Sequence, residues 1–273
     1  MRVAPPHELN DNFEWEPAPG RSLVSHEESK QWDDQGFFCL EGAIDPQLIA
    51  RVTDEIDPLE AQLEELLRAA GGTVSIATAD EITFTTHVVT RSPVLRDFAS
   101  GFPFTALCCD LIGPDARLYW DQAVYKKPEP GREFPWHQDN GYTFIEPQQY
   151  MTCWVPLVDA TVDNGCPWVL PGVHRRGTLE HWSTDLGFEC VEHAEGAVPV
   201  EARVGDVVVL SSLTPHRTGP NTSDDVRKAY ILQYAPDAAV VKQPDAFAST
   251  GLQNDPDRQF VVLQGGEPVE GSQ

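Results

Sequence analysis

Between Leu48 and Leu66, apolar residues recur at intervals of three and four: Leu48, Val52, Ile56, Leu59, Leu63 and Leu66. That spacing lines one face of a helix. Asp45-Pro46 supplies a carboxylate cap and a proline for the first helical position, and Gly71-Gly72 stands where the pattern stops. The spacing predicts one amphipathic helix from Asp45 to about Leu67, with Pro58 as a possible kink. A shorter helix is expected within SHEESKQW, a compact apolar strand over Gly36 to Leu40, and a helical stretch over Pro93 to Leu111.

Between these helical stretches and downstream of them, the pattern changes. ITFTTHVV, RLYWDQAVY, MTCWVPLV, DVVVLSS and KAYILQYA are short runs rich in β-branched and aromatic residues. Turn signals separate them, among them Lys127-Pro128-Glu129-Pro130-Gly131, Asp163-Asn164-Gly165, Gly205-Asp206 and Gly219-Pro220-Asn221. Short strands joined by such turns predict a mainly β sandwich or barrel with flanking N-terminal helices. The 273 residues, 41% of them hydrophobic, suit a single domain. Residues 1–20 are polar and proline-bearing and read as a loose arm. Residues 237–273 read as a C-terminal extension in which DRQFVVLQ can form a strand.

Candidate chemistry begins at WHQDNGY, residues 136–142. On an extended segment alternate side chains share a face, so His137 and Asp139 point one way and Trp136, Gln138 and Asn140 the other. Spacing alone is weak: His26-Glu27-Glu28 and His193-Ala194-Glu195 repeat it in a helix and among loop residues. Context strengthens it. After the apolar run Val207 to Leu210, Thr214-Pro215-His216 brings a second histidine back. Two imidazoles and one carboxylate on one face of a metal form the facial triad of non-haem Fe(II) oxygenases.

Arg227 opens a further strand whose alternate residues are Ala229, Ile231 and Gln233. A guanidinium on that mostly apolar face needs a partner, which a carboxylate ligand would provide through paired hydrogen bonds. His174 reads as a hydrogen-bonded structural residue, and Arg175 and Arg176 as a solvated turn.

Charge narrows the partners. With 19 basic and 43 acidic residues the chain carries -24, which repels nucleic-acid phosphates and anionic bilayers. A small-molecule substrate is the expectation, with neither nucleic acid nor membrane as partner; oligomeric state is not legible. The start MRVAPPHELN lacks an apolar run, so no secretion signal is expected. Six cysteines without CxxC spacing read as reduced thiols in a cytoplasm.

In order and spacing, QGFFCLEGAI, VYKKPEP, WHQD, CWVPLVDATVDNGCPWVLPGVHR and GDVVVLSSLTPHRTGPNTSDDVRKAYILQYA resemble the phytanoyl-CoA dioxygenase family of Fe(II)- and 2-oxoglutarate-dependent oxygenases. The resemblance spans most of residues 30–236. It implies a double-stranded β-helix, a cupin-like jelly-roll barrel with the metal in its open end. It implies His137, Asp139 and His216 as iron ligands. It implies Arg227 for the distal carboxylate of 2-oxoglutarate, with Thr218, Trp154, Gln122 and Lys127 around the cosubstrate. The implied reaction uses O2, releases succinate and CO2, and oxidises a C–H bond of a small molecule.

Asn140, Tyr142, Phe144 and Trp136 are expected to edge the substrate cavity. The early-strand lysine that some members of the family carry is missing from Ile82 to His87, where either a hydroxyl of Thr83 or Thr85 replaces it or the contact is absent. Retention of Asp139 speaks against halogenation. Two alternatives stay open: a metal cupin that needs no 2-oxoglutarate, such as a ring-cleaving dioxygenase or isomerase, and a non-catalytic ligand-binding barrel. Arg227 has no obvious task in the first, and the complete triad argues against the second.

Overall fold

The strand that Arg227 opens is buried on both faces. The computed structural model describes residues 2–10, 13–20, 22–129, 131, 133–242 and 251–269. Helices α1 (His26–Gln35), α2 (Pro46–Ala69), α3 (Pro93–Ser100) and α4 (Phe104–Leu111) accompany ten principal strands. These are β1 (Phe37–Leu40), β2 (Ile82–Thr86), β3 (Ala116–Lys126), β4 (Phe134–His137), β5 (Met151–Pro156), β6 (Pro167–Val169), β7 (Val207–Ser211), β8 (His216–Thr218), β9 (Arg227–Pro236) and β10 (Val261–Gln264).

Helix boundaries follow local chemistry. Ser25 and the Glu28 side chain cap each other's backbone at the start of α1, and Gly36, at φ 84°, ends it in a left-handed turn. Asp45 accepts a hydrogen bond from the Gln47 N–H, and Pro46 fills the first position of α2. That helix continues through Pro58 to Ala69. The stretch expected as one helix over Pro93 to Leu111 is two, α3 and α4, separated at Gly101 to Pro103.

The larger sheet runs β1-β7-β5-β9-β3-β2 and continues through two short strands, Ala77–Thr78 and Thr73–Val74, while β10 also pairs with β3. The smaller sheet runs from Val198–Pro199 through β6 and β8 to β4. Every pairing within these two sheets is antiparallel. The two sheets face each other as the double-stranded β-helix expected.

Alternation sorts the residues between two cores. On β9, Tyr230, Leu232 and Tyr234 belong to the core beneath the helices, whereas Ala229 and Ile231 belong to the barrel interior with Trp154, Val124, Val208 and Leu210. Lys228 shares the helix-side face without being exposed, because its ammonium binds Asp57 of α2 at 2.8 Å. Tyr125 donates to the same carboxylate at 2.6 Å, which ties α2 to the sheet. Burial on both faces explains why β9 reads as a near-continuous apolar run.

The N-terminal segment is packed rather than loose. Arg2–Val3 pairs with Val191–Glu192, and Trp15 packs against Trp32 and edge-on to His174. Polar composition concealed this because the contacts are made by a few apolar residues, notably Ala4 and Trp15, and by backbone. Beyond Pro236, β10 pairs with β3, as DRQFVVLQ suggested. Residues 243–250 and 270–273 of the expected C-terminal extension lie outside the described residues. Among the described residues no helix is long and apolar enough to cross a membrane.

Candidate metal centre and active-site cavity

His137 closes β4 and His216 opens β8, and the two are direct register partners in the smaller sheet. Gln138 keeps an extended backbone, and Asp139 then begins a short 3-10 turn to Gly141. The carboxylate thereby returns to the face of His137. Asp139 Oδ1 lies 3.9 Å from His137 Nε2 and 3.8 Å from His216 Nε2. Such separations suit a shared ion, since two ligands at ~2.1 Å from one metal can stand up to ~4.2 Å apart. One ligand atom from each residue lies within 4.8 Å of the others.

Both imidazoles are oriented by backbone. His137 Nδ1 is 2.9 Å from the Pro135 carbonyl and His216 Nδ1 is 3.0 Å from that of Thr214. A carbonyl only accepts, so each Nδ1 carries the hydrogen and each Nε2 presents its lone pair to the centre. Burial, followed by the nearby His216, holds His137 well below the ordinary imidazole range and favours the neutral, ligating form. Thr152 on β5 donates to Asp139 Oδ2 at 2.5 Å.

The turn is braced from behind. Gln138 is fully buried, donates to the Gly177 and Leu213 carbonyls, and accepts from the Leu179 N–H. A Cβ on Gly141 would lie 2.0 Å from His181 Cε1, so only glycine fits there.

A small inner pocket of about 70 Å³ reaches from the three candidate ligands to Arg227, with Thr218, Trp154 and Gln122 on its lining. Arg227 is completely buried. Its Nη1 donates to the Val124 carbonyl at 3.3 Å, but Nε and Nη2 have no partner among the described residues. Burial lowers its pKa to about 10, and the Trp154 ring stands 5.5 Å away. This open guanidinium edge fits a carboxylate, and the His, Asp, His set fits a divalent iron.

A larger cavity of about 320 Å³ adjoins it, and His137 and Asp139 line both. Tyr142, Gln122, Phe84 and Phe134 are among its walls, while Leu63 and Leu67 of α2 and the 73–78 hairpin cover it.

Several expected residues point elsewhere. Lys127 leaves the barrel and pairs with Glu60 and Glu64 of α2, because it follows the inward-facing Lys126. Trp136 faces the outer side of the smaller sheet, 5.3 Å from the Arg217 guanidinium, as alternation from His137 requires. Asn140 is fully buried behind the turn, bonding Thr178 Oγ1 at 2.6 Å and the Ile145 N–H at 2.9 Å. Phe144 packs on His7 of the N-terminal segment at 4.8 Å between ring centroids.

Thr83 donates to Glu60 on the helix side, and Thr85 shares that face, so neither hydroxyl replaces the missing lysine. His174 is buried, 3.2 Å from the Asp33 carbonyl, and Arg175 binds Asp33 and Asp34 at the surface. Sequence reasoning did not single out Thr152, Gln138 or Gln233 for the site. Thr152 and Gln233 had a legible signal, since each sits on the inward parity of its strand, set by Trp154 and Arg227.

Comparison with known proteins agrees with this geometry. The chain is 28% identical over 292 residues to the phytanoyl-CoA dioxygenase domain-containing protein 1 of Mus musculus, covering 89% of this chain and 99% of the mouse protein. It is 27% identical over 146 residues to a phytanoyl-CoA dioxygenase of Arabidopsis thaliana, and the match spans only about half of that relative, 52%. The fold resembles the epimerase SnoN solved with Fe3+, alpha-ketoglutarate and nogalamycin RO. There the TM-score is 0.67 and identity 20%, over 86% of this chain and 97% of that one. The phytanoyl-CoA dioxygenase (PhyH) profile matches residues 32–229, most of the chain, and the chain belongs to that family.

Proposed function

We propose that this chain is an Fe(II)- and 2-oxoglutarate-dependent dioxygenase that oxidises a C–H bond of a small molecule and releases succinate and CO2. The observation that carries this reading is the buried guanidinium of Arg227, with Nε and Nη2 unpartnered among the described residues, on the lining of the same pocket as His137, Asp139 and His216. His137, Asp139 and His216 would hold iron, and Arg227 would hold the distal carboxylate of 2-oxoglutarate. When bound, iron and 2-oxoglutarate together supply the O2-dependent oxidising chemistry.

The chain's own residues do the positioning. The Pro135 and Thr214 carbonyls fix the two imidazoles, and Thr152 fixes the Asp139 carboxylate. Thr218, Trp154 and Gln122 line the cosubstrate pocket and would confine it beside Arg227. Phe84 and Phe134 wall both cavities and limit water there. Substrate would enter the larger cavity beside Tyr142 and be held in register with the metal set. No side chain has to act as a general base.

We further read the chain as one catalytic domain. The free state of all six cysteines supports a reducing, cytoplasmic setting.

The test is reconstitution with Fe(II), 2-oxoglutarate and O2, followed by measurement of succinate and CO2. Equal yields of the two, lost in Arg227→Ala, are expected. Substrate turnover without succinate, unchanged in Arg227→Ala, would favour a metal cupin that does not use 2-oxoglutarate.

A further inference from the structure

The larger cavity is short of charge. Among its described lining residues, Asp139 is the one acidic side chain, it belongs to the metal set, and no lysine or arginine is present. The ion pairs flanking Leu63 and Leu67 on α2 are closed on themselves. Lys127 is taken up by Glu60 and Glu64, and Arg68 by Glu64 and Asp80. A phosphate, phosphonate or carboxylate entering here would meet no cationic side chain among the described lining residues, only the metal that His137, Asp139 and His216 would hold, and the chain's net charge of -24 adds repulsion. An ammonium would find no carboxylate beyond Asp139. Burying either charge without a partner among side chains such as Leu63, Leu67 and Ile76 is costly.

Two neutral amides remain available. Gln122 on β3 and Gln233 on β9 lie on adjacent strands, with Gln122 opposite Ile231 and Gln233 opposite Trp120. Both side chains line the cavity. Trp120 Nε1 donates to Gln122 Oε1 at 3.2 Å, and an indole can only donate. The Gln122 NH2 is therefore the end left for a ligand. Neither that NH2 nor the Gln233 amide has a hydrogen-bond partner among the described residues.

We propose that this cavity takes an uncharged, mainly apolar molecule bearing a carbonyl or hydroxyl group, recognised by the side-chain amides of Gln122 and Gln233. The proposal rests on the oxygenase reading only in taking this cavity as the substrate's place. A site that hydrogen-bonds its ligand through amides with no other partner, here the buried Gln233 and the half-buried Gln122, discriminates against molecules that cannot answer them.

The test uses three probes of one chain length: octanamide, octanoate and octylammonium. Calorimetry is run on the full chain loaded with Zn(II) and 2-oxoglutarate, so that Asp139 is covered and no turnover is needed. Uptake of Zn(II) and of 2-oxoglutarate is measured first. Failure at that step would sink the oxygenase reading, while the probes can still be ranked on the unloaded protein.

Octanamide is expected to bind at least about ten-fold more tightly than either charged probe. Gln233→Glu is expected to weaken octanamide and move the preference toward octylammonium. Octanoate or octylammonium binding the unmutated chain as tightly as octanamide, or no binding of octanamide, would overturn the proposal without recourse to any variant.

Discussion

Thr152 donates its hydroxyl hydrogen to Asp139 Oδ2 at 2.5 Å, and the other carboxylate oxygen is left facing both imidazoles. The bond joins the two sheets at the point where the metal set is assembled. Hydrogen-bond partners of metal ligands typically hold one to two orders of magnitude in affinity. Thr152→Val is expected to weaken metal binding by about 10–100-fold while the circular dichroism spectrum stays unchanged. Competition with a chelator of known affinity measures the loss.

Arg227 offers a second and opposite pair of effects. An unpaired buried guanidinium destabilises the ligand-free fold, so Arg227→Met is expected to raise its melting temperature. The same change is expected to cost 2-oxoglutarate about 2–5 kcal/mol of binding, a charge pair of this burial being worth about that much on truncation. Thermal unfolding and calorimetry on the same preparation check both signs, and metal content should not change.

Lys127 provides the contrasting case. It bridges Glu60 and Glu64 on the far side of the sheet from the pocket. Lys127→Ala is expected to lower stability by about 1–3 kcal/mol, since two buried carboxylates lose a partner but keep others. Its KM for 2-oxoglutarate should match that of the unmutated chain, which steady-state kinetics would show.

His174 makes stability depend on pH. Burial pushes its pKa down to about 4 from the ordinary 6.5. The unfolded chain therefore binds this proton at a higher pH than the folded one. The stabilisation is complete above pH ~6.5 and is lost as the pH falls toward ~4, by roughly 3 kcal/mol at most. Urea unfolding at pH 7 and pH 4.5 is expected to show that decline, and His174→Gln is expected to lessen it, leaving the share of His137 and His181, which burial lowers in the same direction.

The strand architecture was legible because β9, β7 and β5 carry unbroken apolar or β-branched runs between glycine and proline turns. The metal set was legible because strand parity extends through Gln138 to Asp139. The same parity already sent Trp136 and Asn140 away from His137, and both are found there. Counting them as cavity residues followed proximity in sequence over direction. Lys127 failed for a related reason, since the residue after an inward position faces the helices. The walls contributed by Leu63, Leu67 and the 73–78 hairpin were not legible, because no local pattern says which face of the barrel α2 covers.

The most direct measurement is an anaerobic titration of the full chain with Fe(II) and then 2-oxoglutarate, followed in the visible spectrum. The expected result is a charge-transfer absorption that saturates at one iron and one 2-oxoglutarate per chain and is absent from folded His216→Ala. A correctly folded, unmutated chain that binds iron yet gives no such absorption at saturating 2-oxoglutarate would contradict the proposed oxygenase.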